Sequence, residues 1–204
     1  MKVNSRTQAD RSASTRQALI DAARPLFAEH GFGSVAMETI VKEAGVSRGA
    51  LYHQFADRTD LFAAVFEEVE GGVSAKIGTV VAESGTTDPI EAMVIGADAW
   101  LDASVDPEVQ RIVLIDAPAV LGWERWREIG LRYGIGLVEA LLGHAVEAGR
   151  IPEQPLRPLA HVLIGAMDEA ALYVAREEDQ ETARAEAGTV LRNLIIAISI
   201  ESPA

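Results

Sequence analysis

At 204 residues, 49% of them apolar, the chain is long enough to bury a core without cross-links, and the absence of cysteine removes disulfide frameworks, thiolate metal sites and thiol nucleophiles. A net charge of −13 argues against a nucleic-acid binder taken whole, because Lys and Arg neutralising phosphates supply most sequence-independent affinity. The acid is segregated, however: residues 1–60 carry eight Lys/Arg against seven Asp/Glu, and residues 61–204 carry ten against twenty-four.

The chain begins with a basic arm over residues 1–13, where Lys2, Arg6 and Arg11, followed by Arg16, are opposed only by Asp10. Such an arm suits a nucleic-acid contact or a solvated tail. No apolar run separates these cations, which argues against a signal peptide. The longest uncharged run, Pro158 to Met167, is shorter than the roughly 20 apolar residues of a membrane span. A cytoplasmic protein without a membrane partner is expected.

A first helix is capped by Ser14 or Thr15 and stopped at Gly31, with Leu19, Ala22, Ala23, Leu26 and Phe27 at helical spacing. Pro25 falls inside it and should cost about 3 kcal/mol or kink it. A second helix carries Met37, Ile40, Val41 and Ala44 and ends at Gly45; a third starts after Ser47 with Leu51 and Phe55 one turn apart. A fourth begins near Arg58, and the Gly/Ser/Thr-rich stretch 71–87 is expected to fray. Asp88-Pro89 and Asp106-Pro107 mark helix starts, with Asp as the cap and Pro at the first helical position. Gly149 to Pro158 reads as a linker, followed by helices over about Pro158 to Arg176 and Gln180 to Ile200.

The informative stretch is 37–56. Ala44, Gly45 and Val46 supply what a tight turn between two crossing helices needs: a small residue, a glycine for a left-handed backbone and an apolar plug. With Leu51 and Phe55 turned inward, Arg48, Gly49, Tyr52 and His53 share the outer surface, as on a helix that enters a major groove. Ser47 caps this helix and aims its free N–H groups at a phosphate. Arg48 has the fork for a guanine edge, Gly49 lets the backbone approach, and Tyr52 and His53 carry phosphate donors. The bland alternatives are a core Tyr52 and solvated charges at Arg48 and Lys42.

Thr15 through Phe27, Gly31-Phe32, Ile40, Glu43 to Ser47, Leu51-Tyr52, Phe55, Arg58 and Leu61 together resemble the DNA-binding domain of the TetR family over about 50 residues. The resemblance implies phosphate contacts by Tyr52 and Arg58, base reading by Arg48 and Gly49, and backbone contacts by Thr39, Lys42 and His53. Two departures stand out. Val35-Ala36 replaces the usual hydroxyl before the second helix, with Ser34 as a substitute, and Arg58 stands where Lys is usual. The implied fold is all-α, about nine helices: a three-helix helix-turn-helix domain over 14–60 and a larger effector-binding and dimerisation domain over 61–204.

That larger part shows no catalytic constellation and no cofactor motif, and His30, His53, His144 and His161 are too far apart in sequence for a helical metal pair. Asp116 lies inside an apolar run and must cap a helix at Pro118, pair with Arg111 or Arg125, or face a cavity. Met93, Trp100, Trp123, Trp126 and Tyr133 could line a pocket with it or pack as core. The resemblance implies pairing of the last two helices with a second copy, for which Leu163, Ala170, Leu191, Leu194 and Ile198 are the candidates. The leading expectation is a homodimeric repressor released from a pseudo-palindromic double-stranded operator by a small-molecule effector. The alternatives are a small helical enzyme or binding protein with a helix-turn-helix-like start, and a DNA-binding dimer without an effector.

Overall fold

The computed structural model describes residues 8–200, and among them every regular element is helical. Lys2 and Arg6 lie outside the described residues. Helix α1 (Gln8–His30) starts ahead of the Ser14/Thr15 cap expected from sequence, so Arg11 projects from a helix and not from a flexible arm. Nor does Pro25 break it. The proline is exposed, so the carbonyl it leaves without a donor lies toward water, while the opposite face buries Leu19, Ile20, Ala22, Ala23 and Phe27.

After a 3-10 turn (Phe32–Ser34), α2 (Met37–Glu43) starts at Ala36 without a side-chain cap, as the missing hydroxyl implied. It ends at Gly45 with φ +65°, where Val46 N–H reaches Val41 O and Gly45 N–H reaches Lys42 O, a Schellman closure that needs the left-handed residue. Helix α3 (Arg48–Gln54) follows, capped by Ser47, whose Oγ accepts from Ala50 N–H at 3.1 Å. Phe27, Phe32 and Phe62 meet edge-on or tilted at 5.2–5.9 Å between ring centres and, with Leu19, Ile40, Leu51 and Phe55, form the core of this first unit.

Helix α4 (Arg58–Glu83), capped by Asp57, leaves that unit and runs into the second, so of the stretch 71–87 expected to fray only residues 84–87 are non-helical. Gly71 explains part of this: a Cβ there would stand 3.2 Å from the Tyr133 ring, so the glycine admits close packing instead of loosening the helix. Asp88 and Asp106 cap α5 (Pro89–Ser104) and α6 (Pro107–Val109) as expected. Helix α6 passes through a π-helical stretch, Gln110–Asp116, into α7 (Ala117–Glu147), which is interrupted at Gly122 (φ +77°). Helices α8 (Leu156–Arg176) and α9 (Gln180–Ala197) complete the bundle and pack on each other, on α7 and on α5. By length and composition alone, Pro107–Glu147 and Leu156–Arg176 are apolar enough to cross a membrane, a test that helices of soluble proteins also pass. Here α7 and α8 pack on each other.

Candidate DNA-binding face and effector cavity

The predicted reading residues are open to solvent. Thr39 and Lys42 on α2 and Ser47, Arg48, Gly49, Tyr52 and His53 on or before α3 are all exposed. Tyr52 is 49% exposed, so it is not a core residue, and the Arg48 guanidinium lies 5.7 Å from its ring centre and 3.4 Å from Glu38 Oε1. Around Gly49 there is open space apart from its own cap. Arg58 departs from this set. Its Nη1 donates to Val35 O at 2.8 Å and its guanidinium stacks 4.2 Å from the Phe32 ring centre, so it fastens the turn before α2. That engagement occupies one of its five N–H donors and places the guanidinium beside the start of α2.

Asp116 does not line the main cavity. Its Oδ2 accepts the Phe32 N–H at 2.7 Å and lies 3.4 Å from Arg111 Nε, with the side chain 15% exposed. The pairing alternative with Arg111 is the one observed, and no cap is made. The Arg111 side chain lies flat against Gly31, where an added Cβ would come within 2.0 Å of Nη2. Beside it, Arg24 of α1 grips Glu108 with two bonds of 2.7 Å and reaches Glu68 at 3.5 Å. These pairs join the reading unit to the rest of the molecule.

The main cavity lies between α4, α5, α7, α8 and α9, with about 980 Å³ of empty space, part of it open to solvent. Met93 and Trp100 line it, as expected. Trp126 lines a smaller adjoining space of about 250 Å³ and donates its ring N–H to Val113 O. Trp123 is 64% exposed and Tyr133 packs on Gly71, so neither lines the main cavity. The apolar walls come from Val73, Ile77, Val138, Leu141, Ile164, Met167 and others. Against them stand two carboxyls that the sequence reading missed, Glu70 and Asp168. Burial, with the neighbouring Asp168, pushes the Glu70 carboxyl up to about 7; burial raises Asp168 to about 6 in spite of its ion pair with Arg127. The signal was available: Glu70 and Asp168 sit at helical spacing from Phe66 and Val73 and from Ile164 and Ala171, on otherwise apolar stripes.

The candidate dimer residues divide. Leu163 and Leu191 are buried within the chain and line the cavity, which removes them from an outer face. Ala170 and Ile198 are half-buried, and Leu194 is exposed while also bordering the cavity. The outward apolar side chains on α8 and α9 are Val162, Tyr173, Val190, Leu194 and Ile196.

Two family models match the chain: "Bacterial regulatory proteins, tetR family" over residues 19–65, and "Tetracyclin repressor-like, C-terminal domain" over residues 90–198. The chain belongs to the TetR family. Among curated TetR-family relatives and neighbours, the Transposon Tn10 TetC protein of Escherichia coli is 23% identical over 96% of this chain and 98% of its own. The transcriptional repressor AcnR of Corynebacterium glutamicum is 30% identical over 52% of this chain and 55% of its own. A TetR-family regulator from Pectobacterium atrosepticum superposes with a TM-score of 0.83 at 30% identity, over 97% of this chain and 100% of that one. RolR in complex with its ligand resorcinol shares the fold at 21% identity, with a TM-score of 0.72 over 92% and 96%. The matching families are regulators and not enzymes, so this TetR-family chain is a DNA-binding transcriptional regulator.

Proposed function

We propose that the protein is a homodimeric repressor that leaves a pseudo-palindromic operator when a small molecule fills the cavity between α4, α5, α7, α8 and α9. Helix α4 carries this reading. Its first turn holds the reading unit through Arg58 and Leu61, and its later turns, with Glu70, Val73, Ser74, Ile77 and Val81, form a wall of the cavity. A ligand that prefers one placement of α4 therefore shifts the spacing of two reading helices by its differential affinity for the two states.

Arg48 and Gly49 read base edges, while Thr39, Lys42, Ser47, Tyr52 and His53 hold the phosphate backbone. The second copy docks on the outer face of α8 and α9, through Val162, Tyr173, Val190, Leu194 and Ile196, giving the two-fold symmetry that paired half-sites require. The role of AcnR favours repression, and the cavity favours a small-molecule effector over none. The protein acts in the cytoplasm, where the operator lies.

The test is selection of a binding site from random DNA, followed by fluorescence anisotropy with the selected duplex. Two protomers bound to an inverted repeat, and release on adding a compound that fills the cavity, are expected. Tight binding of a single protomer to an asymmetric site would overturn the dimer, and cavity occupancy without release would overturn the effector role.

A further inference from the structure

Most polar groups on the cavity wall are already engaged. The Ser74 hydroxyl donates to Tyr133 O at 3.1 Å, the Trp100 ring N–H donates to Met167 O at 3.1 Å, and Asp168 is held by Arg127, which also reaches His161 O. Glu70 is the exception. The cavity reaches part of the residue, but its Oε2 is sealed from solvent and has no hydrogen-bond partner among the described residues. Gly130 of α7 lies opposite the carboxyl, where an added Cβ would make an ordinary 3.8 Å contact with Oε1.

The site therefore holds two carboxyls against one guanidinium, in walls that are otherwise apolar. An ionised carboxylate without a partner is costly there; a bound cation relieves that cost more fully than a neutral donor does, and an anion adds to it. We propose that the effector is an apolar organic cation, an ammonium on a hydrocarbon or aromatic body, whose charge sits against Glu70 with the Trp100 ring as part of its wall. This rests on the cavity being the effector site. Its chemistry is complementary to the pocket on both counts: apolar body to apolar wall, single positive charge to the one carboxyl left over.

The test uses three compounds with one body: 4-phenylbutylamine, which is a cation at neutral pH, 4-phenylbutan-1-ol and 4-phenylbutyrate. Binding to the full-length protein is measured by calorimetry and by quenching of tryptophan fluorescence at pH 8. The ammonium should bind about tenfold or more tightly than the alcohol, as a charge-assisted contact implies, with the carboxylate weakest. In Glu70→Gln the ratio of ammonium to alcohol affinity should fall toward one. Should the variant not fold, the wild type gives the same answer through pH. Glu70 is faced by Arg127 and Tyr133 of α7 and Asp168 of α8, and by the uncharged Met93 and Trp100 of α5. Ammonium affinity should rise from pH 6 to 8 as the carboxyls ionise, and alcohol affinity should not. An alcohol that binds as tightly as the ammonium overturns the cationic effector and leaves the effector cavity standing. A series in which no member binds at millimolar concentration overturns both.

Discussion

Glu70 offers a test that needs neither DNA nor ligand. In the folded protein its carboxyl is pushed from the ordinary 4.5 up to about 7, so the native state holds a proton that the unfolded chain has already lost. Below about pH 4.5 both states are protonated and the group adds no pH-dependent penalty. Between there and pH 7 the unfolded chain ionises first and stability falls, and above pH 7 the full cost remains. At about 1.4 kcal/mol per tenfold change in proton affinity, that cost is about 3 kcal/mol. Glu70→Gln removes the ionisation and keeps the shape. Its amide carries a fixed cost for unsatisfied donors, so the informative quantity is how the difference between variant and wild type changes with pH. Urea unfolding followed by tryptophan fluorescence, at matched protein concentration, should show the variant gaining about 3 kcal/mol on the wild type between pH 4.5 and pH 8. For a chain of this length that corresponds to roughly 6–12 °C in melting temperature. A difference that stays constant over this range would mean that Glu70 is solvated or paired, and the reasoning about the cavity would fall with it.

Arg48→Ala should cost about 1–3 kcal/mol and relax one position per half-site in a binding-site selection, whereas Tyr52→Ala should weaken all sequences alike. An unchanged consensus with Arg48→Ala would remove its base-reading role. Val190→Asp places a charge on the outer face of α9, where Val190 is 65% exposed in the protomer, and should sediment as a monomer; a surviving dimer would move the interface elsewhere. Asp116→Ala removes a charged acceptor from Phe32 N–H and should cost about 1.5–3 kcal/mol, with faster hydrogen exchange at that amide, while unchanged protection would show that the joint does not depend on Asp116. Gly31→Ala forces a side chain into φ +74° and against Arg111, and should destabilise by about 1–3 kcal/mol in the same unfolding assay; a neutral effect would show that Arg111 moves aside freely.

The reading unit was legible because its signals are local. Ser47, Gly45 and the inward pair Leu51 and Phe55 fix where α3 starts, how it turns and which side faces out, and each acts within a few residues. The Asp-Pro pairs at 88–89 and 106–107 were equally readable for the same reason. The cavity was not, since its walls come from five helices and the inward side of an apolar stripe depends on what packs against it. Asp116 and Glu70 look alike in sequence, each an acid among apolar neighbours. Only the fold gives one the Phe32 N–H and Arg111 and leaves the other facing a cavity. Leu163 and Leu191 were misplaced on the dimer face because α8 and α9 bury one apolar stripe and expose another, and periodicity alone does not say which is which. Pro25 shows the converse, a local rule outweighed by the burial of the opposite helix face and by Arg24 gripping Glu108 one residue away.

Whether α3 reads DNA in two symmetric copies is decided by nuclease footprinting on the protein's own upstream DNA. A protected inverted repeat is expected, its half-site centres one helical turn or a multiple of it apart, on the order of 10 base pairs per turn, with protection lost in Arg48→Ala and Tyr52→Ala. Protection without two-fold symmetry, or a footprint that both variants leave intact, would contradict it.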